Sequence, residues 1–398
     1  MRIVYVTSSF PYGLGEEFIA PEVQSLAARG HEVLIVPMWP RGHQTWELGE
    51  RIRACEMPLA SIAVLRGATS QMLRTPKICF RAISLALVTR PNVLTKNLAV
   101  VMKGLWLSGV ARIWSADHIH AHWAATTATM AMIASEASGI DWSFTAHRWD
   151  IVENNLLARK CQHASFARFI SQSAIRLAES HGVRPDRTRI LHMGVVLPDR
   201  KISWNSGEAI TLLCPANLVS IKGHHYLVDA MRELRNRRAP VQLLLAGDGS
   251  LRHSLEQRVV QLELEQSIHF LGQLKHDKLL AMYARSEVDV VVLPSVNLGR
   301  GQHEGIPVSL MEAMAFGIPV ISTLTGGIPE LLHDGAGLLI PERDHLALAA
   351  AIELLSSQPD LRARIGADGQ TRVKENFTIE HVVEKLEAWF CEGSGNAA

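Results

Sequence analysis

Short apolar runs alternate with stretches of helical periodicity through the first half of the chain. The first such unit predicts a strand over Arg2–Ser8, a Pro/Gly turn, a helix from Glu17 to Arg29 and a second strand over His31–Met38. Alternation of this kind, punctuated by glycine, is typical of βαβ units, which build a parallel sheet covered on both faces. The further strands predicted in this half are Asp117–Trp123, Trp142–His147, Arg168–Ser171 and Thr188–Met193.

The alternation stops over Val196–Glu208 and then begins again. This segment, VLPDRKISWNSGE, mixes Pro, Gly, Ser and charged residues without periodicity, so we predict a linker there. The strands predicted after it are Ala209–Pro215, Val241–Gly247, Ile268–Gly272, Asp289–Pro294, Val320–Thr323 and Gly337–Ile340. The helices predicted there are His224–Arg237, one from Ser250, Asp277–Ser286, Val308–Phe316, Asp344–Ser356 and a last one from about Thr378 to Phe390.

The two halves together predict an α/β protein with two Rossmann-like, doubly wound domains, over 1–196 and 209–375. A C-terminal helix and tail over 376–398 is expected to cross back to the first domain. Open parallel sheets bind ligands at the carboxyl ends of their strands, so we expect the two domains to face a central cleft that holds the substrate. The length of 398 residues agrees with two domains, because a single hydrophobic core rarely grows that large.

Composition narrows the class of protein. With 47% hydrophobic and 20% charged residues the chain has the make-up of a globular enzyme, and a net charge of +1 argues against a nucleic-acid binder. The five cysteines are widely spaced and form no CxxC pair, so neither a disulfide framework nor a zinc site is predicted. No export signal or membrane-spanning stretch is recognisable, and we expect a cytoplasmic protein.

The segment HEGIPVSLMEAMAFGIPVISTLTGGIPELL, from His303 to Leu332, carries the clearest chemistry. Pro307 suits the first helical position, so the unpaired amides of this helix start, from Val308 onwards, form a site for a diphosphate. Glu312 lies in a helix that is otherwise apolar, and a buried carboxylate needs donors such as two ribose hydroxyls. A Glu312 that is paired internally, or exposed at the edge of the helix, is the alternative.

Glu304 and Glu312, separated by seven residues in this segment, resemble the E-x7-E region of retaining GT-B glycosyltransferases of family 4. The resemblance covers most of the chain, is densest from Leu212 to Glu342, and is closest to enzymes of bacterial exopolysaccharide and lipopolysaccharide assembly. It implies that Glu304 approaches the donor sugar and that Glu312 binds the donor ribose. The backbone of Gly305 and Ile306, with the Pro307–Val308 helix start, would face the donor diphosphate.

A second segment, CPANLVSIKGHHYLVDAM, resembles the family pattern in which a lysine neutralises the donor phosphates, which implies that role for Lys222. Without the resemblance, a solvated lysine at a helix start is the ordinary interpretation. Asn217 stands where the family has an arginine, which removes one cation from a site that must stabilise a leaving diphosphate. Either Arg300 or Arg148 compensates, or turnover is low.

In the first half, SSFPYGLGEEF resembles the family's first loop, which implies that Gly13 and Gly15 let the backbone approach the acceptor or the donor phosphate. An ordinary strand-to-helix turn is the alternative. FTAHRWDI resembles the segment whose histidine contacts the donor sugar, which implies that role for His147. Asp150 is a further candidate, for the acceptor.

The motif HIHAHW places His118, His120 and His122 on one face of a strand. Successive members would lie about 6.6–6.8 Å apart along the strand, too far for one ion to engage all three compactly, so we predict no metal site. His120 and His122 either line the cleft and bind the acceptor or are ordinary hydrogen-bonded histidines. No Asp-x-Asp occurs, which agrees with an enzyme that needs neither metal nor other cofactor.

The predicted function is therefore transfer of a hexosyl unit, with retention, from a nucleotide diphosphate-sugar to a glycan or a polyprenyl-diphosphate-linked acceptor. A UDP-sugar is favoured over GDP-mannose. With no obvious nucleophile, electrostatic stabilisation of the leaving group is the expected mechanism. A GT-B sugar-nucleotide epimerase, or a nucleotide-sugar-binding protein with weak or lost catalysis, remains an alternative.

The stretch 57–116 holds eight cations and no Asp or Glu, in a chain that is nearly neutral overall. Apolar residues such as Ile78, Phe80 and Leu98 lie between the cations, as in helices that bind anionic lipid, so we predict peripheral attachment to the inner face of the membrane. The alternative is that the apolar residues pack on the sheet while the cations form a solvated rim. The cations are Arg66, Arg74, Lys77, Arg81, Arg90, Lys96, Lys103 and Arg112.

Overall fold

The computed structural model of the chain describes residues 1–13, 15–88, 90–198, 209–299 and 301–394. Most of the predicted linker, and Arg300, lie outside these ranges. The chain divides into two compact units, the first formed by Met1–Gly194 with Ile379–Ala398, and the second by Val195–Thr378.

The first unit contains a seven-stranded parallel sheet in the order β3-β2-β1-β4-β5-β6-β7. Its strands are β1 (Arg2–Thr7), β2 (Glu32–Pro37), β3 (Ile52–Ala54), β4 (His118–His122), β5 (Trp142–Ala146), β6 (Phe166–Phe169) and β7 (Thr188–Ile190). Its helices before the second unit are α1 (Ala20–Ala28), α2 (Ile62–Arg74), α3 (Pro76–Leu85), α4 (Pro91–Ile113), α5 (Thr126–Ser138), α6 (Arg148–Glu153), α7 (Leu157–His163) and α8 (Gln172–Ser180).

Two predictions in this sheet were wrong in detail. The strand expected at Arg168–Ser171 is β6, which begins and ends two residues earlier, because Ser171 caps α8 by accepting from the Ala174 amide. The edge strand β3 was not predicted, since it has three residues of which one is buried.

The second unit contains a six-stranded parallel sheet in the order β10-β9-β8-β11-β12-β13. Its strands are β8 (Ile210–Pro215), β9 (Val241–Ala246), β10 (Ile268–Gly272), β11 (Val290–Leu293), β12 (Val320–Thr323) and β13 (Leu338–Ile340). Its helices are α9 (His224–Asn236), α10 (Arg252–Gln261), α11 (His276–Ala284), α12 (Val308–Ala315), α13 (Ile328–Leu332), α14 (His345–Ser357) and α15 (Pro359–Asn376).

The predicted strands of this unit agree with the structure, but α15 was missed. Its sequence is polar and contains two glycines, which usually weaken a helix. Gly369 is buried, and a Cβ there would lie 2.9 Å from the carbonyl oxygen of Ala336, so glycine is what lets the helix pack closely.

The last helix, α16 (Ile379–Ser394), belongs to the first unit. Its buried side chains, including Val383 and Phe390, share a core cluster with β1 and α1, while α4 and α5 contribute to the cluster on the opposite face of the sheet. Both faces of the sheet are therefore covered, as expected for parallel strands.

In each sheet the strand order reverses next to the first strand. The reversal lies between β1 and β4 in the first unit and between β8 and β11 in the second. Ligands bind at the carboxyl ends of the strands at such points, which directs attention to the loops after these four strands.

The stretch 57–116 forms α2–α4 and divides into a core part and a surface part. Lys103 in α4 is fully buried, with its ammonium donating to the carbonyl oxygens of Pro37, Met38 and Met57. Lys103 is therefore not a membrane-facing cation, because three carbonyls replace the water that the ammonium loses. Leu105 is also fully buried, so this part of α4 does not belong to the predicted lipid-facing surface, although Leu98 and Ile113 of the same helix are exposed.

Helices α2 and α3 instead expose apolar and basic side chains together. Leu73 is 79% and Phe80 76% exposed, values unusual for large apolar side chains. We call this the basic apolar surface; it consists of Ile62, Leu65, Leu73, Ile78 and Phe80 with Arg66, Arg74, Lys77 and Arg81. Among the described residues, no helix is long and apolar enough to cross a membrane.

Candidate active site

In the second unit, the loop after β8 carries Lys222 to the end of β11. The loop turns at Gly223, which has a φ of +70° and whose Cβ would lie 1.9 Å from the carbonyl oxygen of Pro294. No side chain larger than hydrogen fits there, so glycine allows the loop to pack directly on the end of β11.

Lys222 and Glu304 form an ion pair, with Nζ 2.5 Å from Oε2, although 82 residues separate them in the sequence. The two side chains are 20% and 17% exposed, and the Ser295 hydroxyl donates to the same oxygen at 3.4 Å. Lys222 is therefore not the solvated lysine of the ordinary interpretation. Partial burial strengthens the attraction relative to a surface pair.

The loop that carries Glu304 rests on two glycines after β12. A Cβ on Gly326 would lie 1.8 Å from the carbonyl oxygen of Glu304, and the Gly327 amide donates to that oxygen at 3.3 Å. These glycines lie in the GGIPELL part of the segment from His303 to Leu332, and no role was predicted for them. A pair of glycines shortly after a buried strand was the available sequence signal.

Helix α12 starts at Val308, as predicted, and ends one residue before the predicted end. Pro307 is its N-cap, with φ −71° and ψ 120°, rather than its first helical residue. Within the described residues, nothing accepts a hydrogen bond from the amides of Val308 and Ser309, and a Cβ on Gly305 would meet no atom within 4 Å. Free amides at a helix start beside open space suit an anion.

Glu312 is paired within the second unit, and part of its side chain stays exposed, so this pairing still leaves room for contact with a ribose. Its Oε1 lies 2.7 Å from Nε2 of His276, the first residue of α11, and the carboxylate side chain is 15% exposed. His276 was missed, because nothing in its local sequence distinguishes it from other polar helix-start residues.

Asn217, two residues after the end of β8, is exposed. Gly247 packs against the same turn, since its Cβ would lie 2.1 Å from the carbonyl oxygen of Ala216. Of the two cations considered as compensation, Arg300 lies outside the described residues, and Arg148 is buried in the first unit with its guanidinium 3.9 Å above the Trp149 ring.

In the first unit, the loop after β1 folds around Glu16. The Glu16 carboxylate accepts from the amides of Ser9 at 2.6 Å and Phe10 at 2.7 Å. Gly13 serves the fold of this loop, since its Cβ would lie 2.8 Å from the carbonyl oxygen of Arg41, whereas Gly15, with φ +105°, faces open space. Only Gly15 therefore leaves room for a ligand to approach the backbone.

The histidines of β4 are core residues. His118, His120 and His122 are fully buried, and the two ring nitrogens of His120 lie 2.8 Å from the Ser143 hydroxyl and 3.0 Å from that of Thr145. Of the two interpretations, the structure takes the hydrogen-bonded one, so the acceptor-binding assignment of His120 and His122 was wrong. Desolvation holds the pKa of both rings well below its usual range, so they are neutral.

His147 is the N-cap of α6 and is half-buried, with its Nε2 2.8 Å from Nε2 of His122. Burial lowers its pKa to about 3. Asp150 accepts from the amides of His147 at 3.0 Å and Ala124 at 2.9 Å, so it joins the turns after β4 and β5. Burial raises the pKa of Asp150 to about 7.

A buried ion pair behind these histidines was not predicted. Arg168 Nη1 lies 2.6 Å from Glu22 Oε2 with both side chains fully buried, and the Tyr5 hydroxyl donates to the other Glu22 oxygen. Glu22, His120 and His122 place potential ligand atoms within 4.8 Å of one another, but the Arg168 guanidinium on the same carboxylate opposes a cation. The available sequence signal for this ion pair was one charged residue within a strand, Arg168, and another within an apolar helix, Glu22.

A cavity of about 460 Å³ lies at the reversal point of the first sheet. It is lined by residues after β1 (Ser8, Ser9, Gly13, Gly15, Glu16), after β2 (Met38, Arg41), after β4 (Trp123, Ala125, Thr126, Thr127) and by Asp150. Of the candidate acceptor residues, it brings together Gly13 and Asp150 but not His120 or His122.

Comparison with known proteins found a family match in the second half of the chain. The family described as "Glycosyl transferases group 1" matches residues 198–372, which include Lys222, Glu304 and Glu312. Residues 198–372 are thus similar to this family.

Two curated relatives share sequence with this chain. The putative colanic acid biosynthesis glycosyltransferase WcaL of Salmonella typhimurium is 34% identical over 203 residues, 50% of this chain and 48% of WcaL. A GDP-mannose-dependent monoacylated alpha-(1-6)-phosphatidylinositol monomannoside mannosyltransferase of Corynebacterium glutamicum is 31% identical over 176 residues, 44% of this chain and 45% of that enzyme. The chain spans about half the length of the curated relatives it matches.

The likeness in structure extends further than the likeness in sequence. The crystal structure of Anabaena HepE in complex with UDP and glucose superposes with a TM-score of 0.71 at 17% identity, over 97% of this chain and 98% of HepE. This likeness shows that the chain has the two-domain GT-B fold.

Proposed function

We propose that the chain is a retaining, metal-independent glycosyltransferase that moves a hexosyl unit from a nucleotide diphosphate-sugar to a glycan or polyprenyl-diphosphate-linked acceptor in surface polysaccharide assembly. The observation that carries the proposal is the Lys222–Glu304 ion pair beside the free amides of α12. These groups supply positive charge for a leaving diphosphate and a carboxylate for the sugar that becomes cationic as it leaves.

The proposal assigns a separate role to each residue expected to contact the donor diphosphate, sugar or ribose. Lys222 and the Val308 helix start stabilise the diphosphate, Glu304 positions the sugar and Glu312, held by His276, binds the ribose. His147 contacts the sugar as a neutral ring, so it accepts or donates a hydrogen bond but does not act as a general acid. The leaving phosphate accepts the proton of the acceptor hydroxyl.

A UDP-hexose is the first donor to test and GDP-mannose the second. The HepE structure, which contains UDP and glucose, shares only the fold with this chain. The Corynebacterium relative, which is described as GDP-mannose-dependent, is 31% identical over 176 residues, so GDP-mannose is kept as a donor to test. WcaL, named for colanic acid biosynthesis, supports polysaccharide assembly as the setting.

We also propose that the protein reaches its lipid-linked acceptor at the inner face of the membrane. The basic apolar surface of α2 and α3 supports it, because exposed Leu73 and Phe80 lie next to cations that attract anionic lipid.

The experiment is incubation of the protein with UDP-hexoses or GDP-mannose and polyprenyl-diphosphate-linked saccharides, with and without EDTA. We expect transfer that EDTA leaves unchanged and a product whose anomeric configuration, read by NMR, equals that of the donor. Conversion of the donor sugar without transfer would indicate an epimerase. Binding of donor with no turnover would indicate a binding protein.

A further inference from the structure

Trp123 closes the HIHAHW motif and has a backbone conformation that tryptophan rarely adopts. Its φ is +90°, a value at which a side chain is strained and which glycine adopts readily. Such strain persists only where the surrounding structure imposes it, and it concentrates at ligand sites.

Several contacts hold the indole in place. Its Nε1 donates to the Glu16 carboxylate, its ring lies 4.4 Å from that of His147 at 39°, and Phe18 meets it edge-on at 5.8 Å. The Trp123 amide donates to the carbonyl oxygen of Thr145 at 3.1 Å. Trp123 is only half-buried, and it lines the cavity at the reversal point of the first sheet.

The other lining groups offer hydrogen bonds without an excess of positive charge. Ser8 and Thr126 line the cavity, and their hydroxyls make no hydrogen bond to any described residue. Among the described lining residues, the carboxyl groups of Glu16 and Asp150 outnumber the one guanidinium, that of Arg41. This lining therefore offers a diphosphate no excess of positive charge, whereas a neutral polyol needs only hydrogen-bonding partners.

A pyranose ring has the complementary chemistry. Its axial C–H groups form a weakly positive apolar face, which is attracted to the negative face of an aromatic ring, and its hydroxyl groups point outward to polar partners. We propose that this cavity binds a pyranose ring of the acceptor, stacked on Trp123 and hydrogen-bonded to Ser8 and Thr126. This rests on the proposed function only in assigning the sugar to an acceptor.

The test uses saturation-transfer-difference NMR on the full chain without donor. The probes are methyl β-D-glucopyranoside, methyl β-D-galactopyranoside and methyl α-D-mannopyranoside. We expect saturation to concentrate on the hydrogens of one ring face of at least one probe. Trp123→Ala should weaken binding about tenfold, equivalent to about 1.4 kcal/mol, while Trp123→Phe keeps part of the signal.

Two further variants guard against a fold effect. Trp149→Ala is the matched control, because Trp149 is 58% exposed and does not line the cavity, so its loss should leave the signal unchanged. Thr126→Val removes one hydroxyl at nearly constant volume and should weaken binding while the melting temperature stays that of the wild type. If Trp123→Ala fails to fold, this variant and Trp123→Phe still test the site.

Equal signals from wild type and Trp123→Ala, or no ring-face pattern with any probe, would overturn the proposal. Displacement of the probe by a UDP-hexose but not by UDP would assign the cavity to the donor sugar and overturn the acceptor assignment. Sugar binding on Trp123 without transfer from any donor would defeat the proposed function alone. Transfer without such binding would defeat this inference alone.

Discussion

Lys222 and Glu304 form an ion pair, but the two residues have different roles in the proposed reaction. In the free protein each side chain neutralises the other, and their partial exposure leaves both within reach of a ligand. When a diphosphate arrives, Lys222 gains a second anionic partner, and Glu304 is then able to face the sugar. The pair is therefore consistent with a site that is charged in advance for a leaving group.

Glu304→Ala should lower the transfer rate by at least about 100-fold. It should also lower the melting temperature, because it removes the partner of the largely buried Lys222 ammonium. Steady-state kinetics and thermal unfolding measure the two effects. Glu353→Ala, which removes another paired carboxylate of the same unit, is the control and should keep full activity. Wild-type turnover by the Glu304 variant would remove this residue from the mechanism.

Glu312→Gln should raise the donor KM about tenfold and change kcat less, since ribose contacts are similar in the ground and transition states. Glutamine keeps the length of the side chain, so the contact with His276 and the fold should survive. A donor with a 2′-deoxyribose provides the second half of a double-mutant cycle. If both donors lose affinity equally in the variant, Glu312 acts on the structure and not on the ribose hydroxyl.

At the scale of elements, α2 and α3 depart from the usual amphipathic pattern. Their buried positions, such as Val64 and Ala68, fill one side, yet large apolar side chains also remain exposed among the cations. Arg81 pairs with Glu136 at 2.8 Å across to α5, so part of the charge is offset within the unit. Arg74 and Lys77 have no such acidic partner among the described residues.

Wild-type protein should float with anionic liposomes at low salt, and replacing Arg74, Lys77 and Arg81 together by Gln should lower the bound fraction strongly. Each basic residue near the surface contributes about 1 kcal/mol, and added salt should weaken the binding. The control replaces Arg235, Arg237 and Arg238 of the second unit by Gln. Equal flotation with anionic and neutral vesicles would count against attachment to the membrane.

At the scale of the whole molecule, the two units differ in how they respond to acid. The first unit buries His118, His120, His122 and His147 as neutral rings, with the pKa of His118 and His147 lowered to about 3 by desolvation. Their unfolded pKa is about 6.5. Below that pH the unfolded chain binds more protons than the folded one, so the free energy of unfolding falls as pH falls.

We expect the free energy of unfolding of the first unit to fall by about 4 kcal/mol per pH unit between about pH 6 and 5. Four histidines contribute about 1.4 kcal/mol each per unit, and Asp150, whose pKa is raised to about 7, offsets one of them. Urea unfolding followed by circular dichroism at several pH values measures the slope. His118→Gln should reduce the slope by the contribution of about one proton. His225→Gln, which changes an exposed histidine, should leave the slope unchanged. A stability independent of pH would refute the burial of neutral rings.

The alternation of strands and helices was predictable from the sequence, because burial on both faces of a parallel strand and on one face of a helix leaves a periodic signal in neighbouring residues. Strands β10 and β12 match their predicted bounds, and the chemistry around Glu304 and Glu312 follows from a motif within one segment. Features that break local periodicity were missed. The polar helix α15 is held by close packing at Gly369, and Arg168 is buried because Glu22 lies opposite it.

The tertiary structure alone decided which distant residues meet. Lys222 pairs with Glu304 because Gly223 and Gly326 bring the two loops together at the ends of β8, β11 and β12, and no local pattern encodes that approach. It also decided that the β4 histidines are core residues, since two-residue alternation identifies a shared face but not what covers it. The sequence by itself determined the elements and the residue types at their ends. Whether a polar side chain is buried, paired or open to a ligand depends on neighbours from elsewhere in the chain, and these are set only by folding.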